Sequence, residues 1–154
     1  MREKIKGWLA GVLLGLISLV TLKKISPILG ACLIVEQQGK VLVIDRVDGL
    51  GYTIPGGIVR YDETVEQAVL REVHEETGYR AAISGLVGVY ADKKRDPRFR
   101  AIAIAYRGYL VAGALRSSNE GRVCWMAPSE IMGHMAFDCD EMLKDYISGN
   151  QRFS

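Results

Sequence analysis

The segment from Gly57 to Tyr79, GIVRYDETVEQAVLREVHEETGY, constrains this chain more than any other. Glu63-Thr64 is placed to open a helix, and Gly78, after Glu75-Glu76-Thr77, is placed to end it in a left-handed cap. At about 100° per residue, Val65, Val69 and Val73 share one apolar face. Glu72, Glu75 and Glu76 then fall within an arc of roughly 100° that borders this face instead of opposing it. Three carboxylates are thereby held at the rim of a buried surface. Like charges so close disfavour ionisation, and no lysine follows four residues on to relieve them. A hard divalent ion with oxygen ligands, Mg²⁺ or Mn²⁺, would resolve the conflict, whereas an acidic, solvated helix face is the plain alternative.

Around this helix the chain reads as short strands. Ala31–Val35, a Gln-Gln-Gly-Lys turn and Val41–Ile44 form a β-hairpin too continuously apolar to face water on one side. Tyr52–Ile54 gives a brief strand, and Pro55-Gly56-Gly57 predicts a turn with room for unusual backbone angles. Strands are expected within 83–90 and 98–111, a short one at Val123–Met126, and a terminal helix at 138–147 with acids in its first turn. With 154 residues, 49% of them apolar, this is one domain's worth. Because strands and helices mix without a repeating βα period, the fold class is α+β with a mixed sheet.

The spacing within 57–79 resembles the Nudix box: Gly57, five residues, Glu63, seven residues, Arg71-Glu72-Val73, one residue, Glu75-Glu76, one residue, Gly78 and a bulky residue. Tyr79 stands where an aliphatic residue is more usual, and Pro55-Gly56-Gly57 precedes the box as in most Nudix sequences. The resemblance extends loosely over residues 31–131. It implies an α/β/α sandwich that hydrolyses a diphosphate joining a nucleoside to a further group. It also implies that Glu72, Glu75 and Glu76 are metal ligands, with the Gly56 carbonyl as a companion, and that Glu63 and Arg71 brace the loop against the helix. Asn119-Glu120-Gly121 ahead of Trp125 resembles a stretch of MutT-type members, which makes Glu120 a candidate further ligand or proton acceptor. Trp125 is placed either to stack a base or to pack the core. His74 faces away from the carboxylates and is assigned to solvent or packing, and His134 is assigned nothing.

Lys93, Lys94, Arg95, Arg98 and Arg100 put five cations on one inter-strand loop. Its Arg-Asp-Pro-Arg core resembles a loop of some ADP-ribose-hydrolysing Nudix proteins, so Arg95 and Arg98 are expected to bind substrate phosphates. A solvated loop is the alternative for this segment. A nucleoside-triphosphate pyrophosphohydrolase of the MutT type and a non-catalytic Nudix-fold binding module are the rival functions.

The first 24 residues hold five basic residues and one acid, leaving 15 basic against 17 acidic residues in the rest. A body of that sign argues against a nucleic-acid partner. Cys32, Cys124 and Cys139 are odd in number and form no C-x-x-C pair, as expected of a reducing compartment. Residues 7–22 are uncharged and flanked by Arg2, Lys4, Lys6, Lys23 and Lys24. The sequence therefore divides into an N-terminal hydrophobic membrane-anchor helix over 1–24, a linker over 25–30 and a Nudix domain over 31–154, with the domain on the cytoplasmic side. A cleaved signal and an interfacial or self-associating helix are the other readings of that segment. Gly7, Gly11 and Gly15 recur every four residues, a spacing through which two copies would approach closely as a homodimer.

Overall fold

A computed structural model describes residues 27–92 and 100–153. Strand β1 (Ile28–Gln37) organises the fold because it pairs in three directions. Gln38 and Gly39, at φ 53° and 75°, turn it tightly into β2 (Lys40–Arg46), with Gln37 opposite Lys40. Two consecutive residues at positive φ suit the twist of a two-residue hairpin. Along its other edges β1 runs parallel to β6 (Ala101–Gly113), from Ile28 beside Ala101 to Val35 beside Gly108, and antiparallel to β4 (Gly56–Ile58). β2 pairs with β3 (Tyr52–Thr53) and β7 (Gly121–Met126), while β6 pairs with β5 (Tyr79–Tyr90) through a ladder with three register shifts. β8 (Arg152–Phe153) lies parallel to the edge of β5. The sheet is mixed, as the sequence predicts.

The hairpin is apolar without interruption because both its faces are covered. Ala31, Leu33, Val35, Leu42 and Ile44 point into one core with Val69 and Val73 of helix α1 (Val65–Thr77). Cys32, Ile34, Val41 and Val43 point into the other, with Ile131 of α2 (Pro128–Ile131) and Met142 and Leu143 of α3 (Cys139–Ser148). Alternation along a strand thus feeds two cores at once, and the layers are helix, sheet, helix.

Helix α1 keeps its expected limits. The Thr64 side chain accepts from the Gln67 N–H while Gln67 returns a bond to the Thr64 N–H, and Gly78 ends the helix at φ 78° with its N–H on the His74 carbonyl. Such a reciprocal box satisfies two otherwise orphaned donors.

Three expectations are revised, and two short elements are added. Pro55-Gly56-Gly57 is no turn: Gly56 and Gly57 are strand residues pressed on β1, where a β-carbon at Gly56 would overlap the Ala31 carbonyl oxygen and lie 2.5 Å from the Cys32 Cα. The expected linker over 25–30 already contains the start of β1 at Ile28, because parallel pairing with β6 draws those residues into the sheet. α2 and β8 were not anticipated, being too short to carry periodicity. Finally, the expectation of a membrane-anchored protein is corrected: among the described residues no helix is long and apolar enough to cross a membrane. The 7–22 segment on which the anchor, its orientation and the homodimer rested lies outside the described residues.

Candidate active site

The polar half of α1 is organised by Arg71. Its Nε donates to Glu63 Oε2 at 2.9 Å and its terminal nitrogens donate to Glu63 Oε1 at 2.6 Å, the Ile58 carbonyl at 3.2 Å, Glu72 Oε1 at 2.7 Å and Glu75 Oε2 at 3.1 Å. Glu63 also accepts from the Arg60 N–H at 2.8 Å. One guanidinium therefore ties the loop before the helix, the end of β4 and the helix itself into a single unit. Hydrogen bonding to Arg71 is the main reason the Glu63 carboxyl is held down to about 2. The cation beside the crowded acids Glu72 and Glu75 is thus Arg71, from within the helix itself.

The three helix carboxylates occupy three different environments. Glu76 is buried, 4% exposed, and its Oε2 accepts from the Gly56 N–H at 2.8 Å. Burial pushes its carboxyl up to about 9, opposed by the Gly56 N–H, with the neighbouring Glu120 and Glu72 carboxylates adding to the rise. Glu72 is half-buried, and its carboxylate fills the space a β-carbon on Gly57 would need, 2.6 Å from Oε1. Glu75 stands exposed on the rim, paired with Arg71 and, at 3.5 Å, with Arg60.

Glu72, Glu76 and Glu120 line one cleft of about 450 Å³, together with Gly56 and Gly57. Glu120 reaches it from the turn before β7, where its N–H donates to Ser118 Oγ and its carbonyl accepts from the Val47 N–H. Glu75 stands at the outer edge of this group, its carboxylate held beside that of Glu72 by Arg71, while Glu120 lines the cleft with Glu72 and Glu76. Among the described residues no three His, Cys, Asp or Glu side chains yet enclose a single point as ligands. Three carboxyl groups, those of Glu72, Glu76 and Glu120, nonetheless line the cleft together, and one of them, Glu76, is buried and carries a cost in ionising that a bound cation would offset. That chemistry fits a hard divalent ion.

Other predicted residues lie elsewhere. Trp125 is half-buried against the core beneath α1 and is not among the residues lining the cleft, a placement that accords with the packing alternative. Arg95 and Arg98 lie outside the described residues. His74 is exposed, as expected. Sequence reasoning missed Arg46 and Phe137, which line the same cleft from the end of β2 and from the loop before α3, with the Arg46 guanidinium 5.3 Å from the Phe137 ring centre. No motif spacing marks them, since they come together only through the fold.

The NUDIX domain model matches residues 27–146. The ADP-ribose pyrophosphatase of Methanocaldococcus jannaschii is 34% identical over 117 residues, covering 74% of this chain and 69% of the relative. A MutT-like protein of Streptomyces ambofaciens is 37% identical over 120 residues, covering 77% and 75% of the two chains. Among solved structures, an ADP-ribose pyrophosphatase of Streptococcus suis superposes with a TM-score of 0.72 over 84% of this chain and 100% of its own, at 21% identity, a likeness of fold. The chain belongs to the Nudix family. It is a Nudix hydrolase, and enzymes of this family use divalent metal ions.

Proposed function

We propose that the protein hydrolyses the diphosphate of ADP-ribose or a closely related nucleoside diphosphate sugar, with Mg²⁺ or Mn²⁺ as cofactor. The observation that carries this reading is the cleft in which buried Glu76 is met by Glu72 and Glu120 beside the bare backbone of Gly56 and Gly57. The relatives named ADP-ribose pyrophosphatase support the substrate class.

Glu72, Glu76, Glu120 and the Gly56 carbonyl would hold the ion, with Glu75 joining if it leaves Arg60 and Arg71. When bound, such an ion neutralises charge on phosphoryl oxygens and lowers the pKa of water. Hydrolysis adds water across one P–O bond of the diphosphate bridge, forming a new P–O bond while the other phosphate leaves with its oxygen. Glu120, exposed at the cleft, is the candidate to accept the proton of the attacking water. Glu63 and Arg71 act by holding α1 against the loop, and Arg95 and Arg98 by binding substrate phosphates.

The test is a panel of ADP-ribose, other nucleotide sugars and nucleoside triphosphates, each with Mg²⁺, with Mn²⁺ and with chelator. AMP and ribose 5-phosphate from ADP-ribose, abolished by chelator, are expected. The relatives named as a putative 8-oxo-dGTP diphosphatase of Bacillus subtilis and a CTP pyrophosphohydrolase of Escherichia coli favour triphosphates as the second reading. Preference for triphosphates would establish that second reading, and no turnover of any member would leave a binding module.

A further inference from the structure

The cleft that holds the carboxylates also has a wall they do not explain. Phe137 sits in the loop between α2 and α3 with φ 58°, one of two non-glycine residues at positive φ among those described. For a bulky side chain this is an unfavourable conformation that only the surrounding structure can impose, and such outliers concentrate at functional positions.

The surroundings do impose it. The loop is fastened to β3 by the Tyr52 N–H on the His134 carbonyl, 3.0 Å, and the Ala136 N–H on the Tyr52 carbonyl, 2.7 Å. Gly133 N–H donates to Asp140 Oδ1 at 2.8 Å, and Met135 and Ala136 are buried beneath it. At Gly51 a side chain would overlap the His134 carbonyl, so the strand end and the loop touch backbone to backbone.

The ring's partner is equally fixed. Arg46 forms a fork with Asp48, its Nε 2.9 Å from Oδ1 and a terminal nitrogen on Oδ2, and Asp48 in turn accepts from the Leu50 N–H. Guanidinium and phenyl ring are both planar groups on the same cleft, and neither belongs to the metal or phosphate chemistry described above. The small side chains of Ala101 and Ala103 line the same cleft.

We propose that Phe137, with Arg46 laid on it, is the wall against which the nucleobase of the substrate stacks. Every nucleobase has a π-face, and an aromatic ring backed by a guanidinium attracts it without reading its edges. Phe137 is thus a specificity residue for base-bearing over base-free diphosphates, and Arg46 a positioning residue that holds the ring. This rests on a nucleoside diphosphate being the substrate.

The experiment compares the wild type with F137N, F137Y and R46K, using inhibition of ADP-ribose hydrolysis by AMP and by ribose 5-phosphate. Asparagine accepts positive φ more readily than phenylalanine, so F137N keeps the fold while removing the wall. F137N is expected to raise KM for ADP-ribose and Ki for AMP about tenfold, with kcat within about twofold and Ki for ribose 5-phosphate unchanged. F137Y should retain wild-type values, and R46K should shift AMP alone by a smaller factor. Equal shifts for AMP and ribose 5-phosphate, or no shift for AMP, would overturn the proposal. If ADP-ribose is not a substrate, the substrate reading fails, and calorimetric titration of AMP into the wild type and F137N still decides whether the wall binds a base.

Discussion

Arg71 and Glu63 stand eight residues apart on either side of the α1 N-cap, joined by two hydrogen bonds of 2.9 and 2.6 Å. The pair converts a flexible approach to the helix into a fixed one, because the same guanidinium also holds the Ile58 carbonyl and two of the helix glutamates.

That relationship fixes an acid-side behaviour. The Glu63 carboxyl is held near 2 in the fold against an ordinary 4.5, so its contribution to stability is complete above about pH 4.5 and is lost as pH falls towards 2. Glu63→Gln should therefore lower the melting temperature at pH 7 and flatten its decline between pH 4.5 and 2. Melting curves across that range check this, and a variant whose acid limb runs parallel to the wild type's would refute it.

Glu76→Gln keeps the volume and the acceptor for the Gly56 N–H but deletes the charge. Activity should fall about 100-fold or more with the fold intact. Relief of the burial penalty should leave the metal-free melting temperature unchanged or higher. Rates and metal-free melting measured together check both halves, and near-normal Mg²⁺-dependent rates would remove Glu76 from the proposed ligand set.

At Gly57, even a methyl group meets the Glu72 carboxylate at 2.5 to 2.9 Å. Gly57→Ala should displace Glu72, reducing kcat about tenfold while circular dichroism stays native. Glu75→Gln, on the rim, is expected to cost less than Glu76→Gln, and the reverse order would place the catalytic burden on the exposed carboxylate.

The loop cations make a different prediction. Arg95→Ala or Arg98→Ala should raise KM for ADP-ribose severalfold with little change in kcat, since a phosphate contact made equally in ground and transition states is uniform binding. Steady-state kinetics with KM unchanged in both variants would return this loop to solvent.

Because β1 begins at Ile28 and pairs there with β6, a chain beginning at Lys24 should retain activity, whereas one beginning at Ala31 should lose several degrees of melting temperature and most activity. Ile28 and Gly30 line the cleft, so that loss reaches the site as well as the sheet. Equal activity of the two shortened chains would show that the first three residues of the strand are dispensable.

Helix α1 was legible in the sequence because its signals are local: a capping threonine, a period of four among Val65, Val69 and Val73, and a terminating glycine. The hairpin was legible for the same reason, its turn and its unbroken apolar runs being neighbours in the chain. Gly56-Gly57 was misread because glycine marks both turns and close backbone approach, and only the position of Ala31 and Glu72 distinguishes them. The grouping of the glutamates was legible only to within an arc; which carboxylate is buried depends on β4 lying over Glu76 and on Arg71 drawing Glu75 away. Arg46 and Phe137 were not legible at all, since they lie 91 positions apart in the chain, one at the end of β2 and the other in a loop.

Thr64 and Gly78 stop α1 at both ends, and its carboxylates take their directions from the count of residues between those stops. With the N-cap held, deleting one residue ahead of Glu72 would swing the following side chains by about 100° and put Val73 and Thr77 where Glu72 and Glu76 stand, whereas adding one would put Arg71 and Glu75 there. Point changes on the exposed side leave that angle untouched. The helix thus works as a gauge whose length is under tighter constraint than most of its letters, and insertions there should be far more damaging than substitutions.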